Sequence, residues 1–223
     1  INSGSDDSYP YQLTTVGNTL YFQADDGFYG HELWKSDGTA AGTVMVKNIN
    51  SGNSYLDYLT AVGNTLYFSA DDGTNGRELW KSDGTASGTV MVKDINSGSD
   101  YSSPLYLTAI GNTLFFRATD GTNGSELWKS DGTAAGTVMV KDINSGSSNS
   151  FLGDLTAVGN TLYFTADDGT NGTELWKSDG TASGTVMVKD ILSGSSSSSP
   201  EWLTAVGNTL YFRANDGTTG AEL

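Results

Sequence analysis

The sequence predicts an all-β fold: a β-propeller of about five blades, each blade a four-stranded antiparallel sheet built from a repeat of 46–48 residues. Each repeat contains three tight-turn signals and one longer polar connection, and none shows a helical period. The strands carry apolar residues on both faces, as sheets do when neighbours cover both. The motif Glu-Leu-Trp-Lys-Ser-Asp-Gly-Thr returns at almost fixed spacing, starting at Glu32, Glu78, Glu126 and Glu174, and a fifth copy starts at Glu222.

The second repeat shows how the strands follow from the residues. Residues 59–62 and 66–70 are short runs rich in β-forming side chains, joined by a Gly-Asn pair that is typical of a tight hairpin. A turn cluster at 71–76 leads to a third strand at 78–81, and a second turn leads to a fourth strand at 89–95. The polar stretch that follows is too long for a hairpin, so it connects one repeat to the next.

The repeats organise the chain as one domain. We expect a single repeat domain over residues 1–223, with units at approximately 11–58, 59–106, 107–154, 155–202 and 203–223, the last one incomplete. The chain begins and ends in mid-repeat, so we expect a fragment of a longer repeat protein. A closed ring and an extended array of repeats both remain open at this point.

Charge and composition limit the partners. Lys plus Arg number 11 against 26 Asp plus Glu, which gives a net charge of −15. Nucleic acids and anionic membrane surfaces attract basic patches, so both are disfavoured, whereas cations, neutral sugars and proteins remain. The absence of cysteine excludes disulfides, zinc–thiolate sites and thiol catalysis. No run approaches the ~20 apolar residues of a membrane helix, so we expect no membrane insertion.

The repeated motif resembles that of a known family. It is preceded by Gly-Asn-Thr-Leu-Tyr-Phe and followed by Gly-Thr-Val-Met-Val-Lys, and together these residues resemble the ELWxxDGT repeat family of bacterial proteins over essentially the whole chain. The resemblance implies large secreted or surface-displayed proteins with propeller-like repeats and no established catalytic role. It supplies no ligand.

Two acidic turns recur in each repeat. The Ser-Asp-Gly-Thr turn resembles the Asp-box of sialidase-type propellers, although here Ser82, Asp83 and Gly84 are contiguous, and we expect a structural role for it. The Asp-Asp-Gly-Thr-Asn-Gly loop is the candidate calcium site, because that cation takes six to eight oxygens. A turn without metal is the favoured interpretation, and we expect no other cofactor. The first loop position varies and the second is constant, as in Asp25-Asp26, Asp71-Asp72, Thr119-Asp120, Asp167-Asp168 and Asn215-Asp216.

The sequence offers no convincing catalytic residue. His31 is the single histidine, and other repeats place Arg77, Ser125, Thr173 and Ala221 at its position. General acid–base catalysis by histidine needs a positioned partner, and the sequence indicates none. The lysines recur at two positions, which we interpret as cross-strand pairs or a solvated rim; they are Lys35, Lys81, Lys129 and Lys177, and Lys47, Lys93, Lys141 and Lys189.

Aromatic residues fall into a repeated set and a variable set. The repeated set is predicted to pack between adjacent repeats; it comprises Trp34, Trp80, Trp128 and Trp176. Trp202 stands where other repeats have Tyr58, Tyr106 and Asp154, and with Tyr55, Tyr101 and Phe151 it would form either a sugar-stacking rim or inter-repeat packing, of which packing is favoured. The sequons at Asn123 and Asn171 are interpreted as coincidental.

These features predict a non-catalytic repeat module that is extracellular or displayed at the cell surface. We expect multivalent binding of a glycan or a surface protein, or adhesion. The first alternative is a structural surface array or filament formed by self-association. The second alternative is a propeller hydrolase, which repetition disfavours because an acid, a base and a nucleophile must differ from one another.

Overall fold

The computed structural model describes residues 1–2 and 4–223. It is all-β: the described residues form nineteen strands and no helix. No helix is therefore present there that could cross a membrane. The strands form four antiparallel sheets of four strands and one of three, so the predicted all-β class and four-stranded repeat are confirmed.

Each sheet follows chain order, with strands that are adjacent in sequence hydrogen-bonded to each other. The strand bounds, one sheet after another, are β1 Tyr11–Val16, β2 Thr19–Asp25, β3 His31–Ser36, β4 Val44–Lys47; β5 Asp57–Val62, β6 Thr65–Asp71, β7 Arg77–Ser82, β8 Val90–Lys93; β9 Leu105–Ile110, β10 Thr113–Thr119, β11 Ser125–Ser130, β12 Val138–Lys141; β13 Gly153–Val158, β14 Thr161–Asp167, β15 Thr173–Ser178, β16 Val186–Lys189; and β17 Glu201–Val206, β18 Thr209–Asn215, β19 Ala221–Glu222.

The repeat boundaries need a correction. The boundaries expected after residues 58, 106, 154 and 202 fall inside β5, β9, β13 and β17, because each of these strands begins two residues earlier than the apolar run suggests. The fourth strand is also shorter than predicted. In the second repeat it ends at Lys93, and the next two residues turn away so that the Ile95 amide donates to the Glu78 carboxylate.

The expected single domain is described here as two compact units. Unit 1 comprises residues 1–107 and 132–134, and unit 2 comprises residues 108–131 and 135–223. Unit 1 contains the sheets β1–β4 and β5–β8, and unit 2 contains the strands from β10 onward.

The core of each unit lies between successive sheets. In unit 1, Trp80 of the second repeat belongs to one buried cluster with Leu33 and Val46 of the first. In unit 2, Trp176 is clustered in the same way with Leu127 and Val140 of the preceding repeat. The predicted packing of the repeated tryptophan between repeats is confirmed at these two sites. Trp34 instead belongs to a cluster with Phe22 and Ala24 of its own sheet.

Candidate functional site

The glutamate of the repeated motif is a buried clamp on the connection between repeats. Glu78 has no exposed surface, and its carboxylate accepts hydrogen bonds from the Ile95 amide at 2.9 Å and from the Ser102 hydroxyl at 2.6 Å. Glu174 makes the same pair of contacts with Ile191 and Ser198. The carboxylate thereby fixes both ends of the connecting segment to the third strand.

Burial alters the acidity of this clamp. Removal from water disfavours the charged form of the carboxyl group, and this raises its pKa to about 7. The hydrogen bonds to the carboxylate act in the opposite direction and lower the pKa. The residues affected in this way are Glu32, Glu78 and Glu126.

The Ser-Asp-Gly-Thr turn is structural, as its residue types indicate. Asp83 accepts hydrogen bonds from the amide and the hydroxyl of Thr85, and the Ser82 hydroxyl accepts from the Gly84 amide. The Thr85 hydroxyl in turn accepts from the Gly88 amide. The side chains of Ser82, Asp83 and Thr85 therefore hold the turn itself.

The glycine of this turn is also a docking point for the preceding repeat. Gly84 has φ +87°, and a Cβ added there would lie 2.3 Å from the hydroxyl oxygen of Tyr21. Lys35 Nζ, also from the preceding repeat, donates to the Gly84 carbonyl at 2.8 Å. The joint recurs in unit 2, where Lys129 Nζ donates to the Gly180 carbonyl.

The lysine interpretation drawn from the sequence is therefore wrong where these contacts are seen. Lysines at both repeated positions bind backbone carbonyls of the following repeat rather than carboxylates across the strand or water alone. Lys47 Nζ donates to the Thr89 carbonyl at 2.7 Å and lies 5.7 Å from the centroid of the Trp80 ring. Lys141 repeats this contact with Thr185 and Trp176.

A threonine contact completes the joint. The hydroxyl of a threonine in the first strand donates to a leucine carbonyl in the first strand of the next repeat, and the pairs are Thr14–Leu59, Thr60–Leu107, Thr108–Leu155 and Thr156–Leu203. All the joint residues described so far stand at positions that are the same, or nearly the same, in every repeat.

Sequence differences between repeats collect at the other end of each sheet, which we call the variable end. It comprises the connecting segment, the first two residues of the first strand, the end of the second strand, the turn after it and the first residue of the third strand. The register brings these positions together, since Tyr11 pairs with Gln23, and Asp25 with His31. The Gly-Asn and Ser-Asp-Gly-Thr turns, which hardly vary, lie at the opposite end.

A β-bulge near the start of the first strand holds one variable residue of each repeat in an unusual conformation. The pairing register of β5 with β6 shifts between Asp57 and Thr60, and Tyr58 inside that gap has φ +55°. A positive φ is unfavourable for residues other than glycine, and residues strained in this way are concentrated at functional sites. The equivalent residues, with φ from +52° to +56°, are Gln12, Tyr58, Tyr106, Asp154 and Trp202.

A second strained position lies in the connecting segment. Its residues are Tyr9, Tyr55, Ser103, Phe151 and Ser199, all with φ between +42° and +49°. Tyr9, Tyr55 and Phe151 are more than half exposed. The Arg77 guanidinium lies 5.8 Å from the centroid of the Tyr55 ring, and the rings of Tyr9 and His31 are 6.4 Å apart.

In unit 1 the bulge residues of successive repeats meet. The rings of Tyr58 and Tyr106 have centroids 6.0 Å apart, and the Gln12 side-chain amide donates to the Asp57 carboxylate of the next repeat. These contacts align variable side chains from neighbouring repeats along one row.

In unit 2 the bulge presents a single exposed aromatic ring. Trp202 is 72% exposed, and the Arg213 guanidinium lies 5.3 Å from its ring centroid. Arg213 is held in turn by a 2.6 Å ion pair with Glu201. The given sequence contains no repeat after Trp202, so packing of its ring against a following repeat stays a prediction.

The candidate calcium loop is a hydrogen-bonded turn. Asp72 Oδ1 accepts from the amides of Thr74 and Asn75, and its Oδ2 accepts from the Asn75 side chain. Among the described residues no group of three or more acidic or histidine side chains is placed to hold a metal. The first loop position also caps the turn, because Asp71 Oδ1 accepts from the Gly73 amide.

The bulge is the feature that sequence reasoning missed. The sequence predicts the first strand of the second repeat only from Leu59 onward, whereas Tyr58 at the centre of the bulge already lies in that strand. The available signal is the change of residue type at the first two positions of first strands that otherwise match closely.

A cavity of about 400 Å³ lies at the three-stranded sheet and is lined by residues such as Leu210, Phe212 and Leu223. In the second repeat the equivalent side chains, Leu66 and Phe68, are fully buried in one cluster with the motif residue Trp80. The given sequence ends before the equivalent tryptophan position of the last repeat, which leaves this cavity open.

Comparison with known proteins gives the fold and no family. No family model matches the chain, and no curated protein matches it. Among solved structures it is similar to the computationally designed Ika8 protein, with a TM-score of 0.53 and 20% identity over 94% of this chain and 56% of the designed one.

Two hydrolases are also similar in structure. Prolyl oligopeptidase B from Galerina marginata has a TM-score of 0.58 and 12% identity over 94% of this chain and 33% of that one. A puromycin hydrolase has a TM-score of 0.53 and 15% identity over 87% and 31%. The chain spans about half the length of the designed protein and about a third of each hydrolase. At such identities the likeness concerns the fold alone, and because the prolyl peptidase matches include propeller domains, this chain has a propeller-like repeat architecture.

Proposed function

We propose that this protein is a non-catalytic module, extracellular or displayed at the cell surface, that binds glycan or protein ligands through the variable ends of its repeats. The observation that carries the proposal is the division of each sheet into two ends. The end with the Gly-Asn and Ser-Asp-Gly-Thr turns hardly varies between repeats, and the other end presents different side chains, several of them exposed, from a strained bulge. A scaffold that only had to hold itself together would not need the second kind of position.

The proposal includes the finer architecture and the family. We infer that the sheets are blades of a propeller of about five blades, and that the chain belongs with the ELWxxDGT repeat proteins. The propeller-like likeness to prolyl peptidases supports the first inference, and the intact motif in four successive repeats supports the second.

The enzyme alternative has less support. The peptidase neighbours match this chain over only about a third of their own length, at 12–15% identity. His31 lies against the ring of Tyr9 at a position where the other repeats carry unrelated residues. A binding role does not require the same residue at this position in every repeat, because each repeat can present its own contact.

One observation favours a structural array as a second candidate. The lysine, glycine and threonine contacts between repeats use residues that are present in every repeat, so the same joint can be made many times. Self-association into a filament would use that joint between chains.

Binding is tested on a glycan array followed by titration calorimetry with the glycan that responds best. We expect more than one site per chain, with modest affinity at each and a gain from linked sites on a multivalent surface. Tyr58→Ala and Tyr106→Ala should lower the number of sites or their affinity, whereas Val206→Ala, on the same kind of strand but near the opposite end, should leave binding unchanged. Turnover of a ligand that is lost in His31→Ala would contradict the proposal. Concentration-dependent assembly in light scattering, without binding to any array or surface protein, would favour the filament.

A further inference from the structure

The second repeat has a small cavity at its variable end, inside unit 1. The cavity has a volume of about 200 Å³ and lies between the turn after β6 and the connecting segment after β8. It is lined by Asp71, Gly73, Thr74, Gly76, Ser99 and Tyr101, which all belong to a repeat with its four strands present. We propose that this cavity binds an amino sugar residue of a glycan, with the ammonium group of the sugar on Asp71 and its ring on Tyr101.

Tyr101 stands at a position that other repeats use for a structural hydrogen bond. In those repeats the residue directly before a buried serine of the connecting segment accepts from the first amide of the third strand, and the pairs are Asn53 with His31, Asn149 with Ser125 and Ser197 with Thr173. Tyr101 instead places its ring against Gly76, where an added Cβ would lie 2.5 Å from the ring atom Cδ1. The second repeat thus has an aromatic wall where the others have a structural contact.

The ring of Tyr101 is carried by a fixed backbone. The Asn96 side-chain amide donates to the Tyr101 carbonyl at 3.2 Å, and the amide of the next residue, Ser102, donates to the Glu78 carboxylate at 3.1 Å. Tyr101 is nevertheless 54% exposed, so much of its surface is open to a ligand. An aromatic ring held in this way can stack on the C–H groups of a sugar with little loss of conformational freedom.

Asp71 contributes a carboxylate oxygen that has no partner. The residue is only 7% exposed, and its Oδ1 accepts from the Gly73 amide at 2.7 Å. Within the described part of the chain, Oδ2 accepts no hydrogen bond and no ion pair reaches this carboxylate. Arg77 is its partner in the strand register, but the Arg77 guanidinium lies against the ring of Tyr55. Because a buried carboxylate is costly without a compensating charge, an ammonium group of a ligand would be bound strongly here.

Two hydroxyl groups favour an amino sugar over a simple amine. The side chains of Thr74 and Ser99 line the cavity, and neither hydroxyl makes a hydrogen bond to another described residue. Hydroxyl groups both donate and accept, so these two can bind the hydroxyls of a sugar, which the alkyl chain of a lysine lacks. The net charge of −15 also attracts a cationic sugar at long range.

The other repeats lack this combination of acid and ring. The fourth repeat has Asp167 at the acid position but Ser197 at the ring position, and the third has Thr119 and Asn149. We therefore expect one amino sugar site per chain, in addition to any other contacts that the variable ends make.

The inference rests on the proposed binding function and is tested with the methyl glycoside of glucosamine. The methyl glycoside of N-acetylglucosamine is the matched ligand without the charge. Binding is measured by titration calorimetry and by saturation-transfer NMR. We expect one site per chain with a dissociation constant on the order of millimolar for the glucosaminide, and binding of the N-acetyl compound that is weaker by about tenfold or more.

Two variants use residues that other repeats already carry. Asp71→Asn should weaken glucosaminide binding about tenfold or more, and it keeps the turn cap, since Asn215 Oδ1 accepts from the Gly217 amide in the last repeat. Tyr101→Asn should also weaken binding, but it should be at least as stable as the original chain in urea denaturation, because asparagine can accept from the Arg77 amide as Asn149 does from its own partner. The control Asp167→Asn makes the first change in the fourth repeat and should bind like the original chain.

The outcomes separate this inference from the proposed function. Unchanged binding in Asp71→Asn, or equal affinity for the two glycosides, would overturn the site. Tighter binding of Nα-acetyl-lysine amide than of the glucosaminide would overturn the assignment to a sugar. Absence of glucosaminide binding, together with another ligand whose binding is lost in Tyr58→Ala, would overturn the inference alone. Absence of any ligand would overturn both.

Discussion

At the scale of single residues, the repeated motif divides its work among distinct contacts. Glu78 holds the connecting segment, and Asp83 holds a turn. Gly84 packs closely against the Tyr21 ring of the preceding repeat, and its carbonyl accepts a hydrogen bond from Lys35 of that repeat. Gly38 stands at the same motif position in the first repeat with a similar φ of +91°, yet no atom would lie within 4 Å of a Cβ there. Substitution of Gly38 therefore tests the backbone strain alone, whereas substitution of Gly84 tests the strain together with the close packing.

Gly84→Ala should destabilise the protein more than Gly38→Ala. Both changes impose a positive φ on alanine, at about 1–2 kcal/mol, but only Gly84→Ala also forces the Tyr21 hydroxyl away. We expect the difference between the two to be about 1–3 kcal/mol in chemical denaturation, with partial recovery when Tyr21→Phe is added to Gly84→Ala. Equal losses at the two glycines would show that the contact with Tyr21 contributes nothing.

The buried glutamates should make the protein more stable at mildly acidic pH than at pH 8. Burial raises the pKa of Glu32, Glu78 and Glu126 to about 7, above the ordinary value of the unfolded chain. The folded state therefore binds more protons between pH 4.5 and 7, and stability falls as pH rises through that window, by at most about 3 kcal/mol per group.

Turn aspartates oppose this trend at lower pH. Hydrogen bonds from the hydroxyl and then the amide of Thr85 lower the pKa of Asp83, so the stability it contributes is present above about pH 4 and is lost below it. Thermal unfolding measured from pH 3 to 9 should therefore show a maximum between about pH 4 and 6. In the single variant Glu78→Gln, the slope between pH 5 and 8 should be smaller; an unchanged slope would exclude Glu78 as a source of it.

At the scale of the strand, the observed structure differs from the sequence-based prediction at the β-bulge. The apolar run from Leu59 predicts the strand, the Gly-Asn pair predicts its hairpin, and both are confirmed. The sequence does not predict the two residues before that run as strand, because a bulge breaks the alternation on which strand prediction depends. The sequence does not predict the lysine contacts either. Their acceptors are backbone carbonyls about 50 residues away, and a pattern of side chains does not reveal such acceptors.

The strain at the bulge is open to measurement at Trp202. Trp202→Gly and Trp202→Ala both remove the exposed ring, and they differ only in the freedom of the backbone at φ +56°. We expect the glycine variant to be more stable than the alanine variant by about 1 kcal/mol in urea denaturation. A more stable alanine variant would show that the bulge does not impose this conformation in solution.

At the scale of the whole molecule, stability comes from joints between successive sheets rather than from any sheet alone. In unit 1 the core combines side chains of the first and second repeats, and the same holds in unit 2 for the third and fourth. A single sheet would expose both of its apolar faces, which isolated units of repeat proteins cannot sustain.

Truncation of a joint tryptophan should therefore be costly. Trp80→Ala removes a ring that is 6% exposed and packs against the preceding repeat, and we expect a loss of about 3–5 kcal/mol. Trp202→Ala is the matched control, because the same ring is removed from a position that is 72% exposed, and it should cost much less. Equal midpoints of denaturation for the two variants would contradict the assignment of the core.

The contacts between repeats also affect how the number and order of repeats can evolve. The donors and acceptors that connect one repeat to the next, such as Thr14 with Leu59 and Lys35 with Gly84, are supplied by residue types that every complete repeat carries. Any repeat can then follow any other without a new fit having to arise at their boundary. Duplication, deletion or reordering of whole repeats by recombination would leave the packing intact while changing the order in which the variable ends are displayed. The set of side chains displayed at the variable ends can thus change by rearrangement of existing repeats, without a compensating substitution in the core.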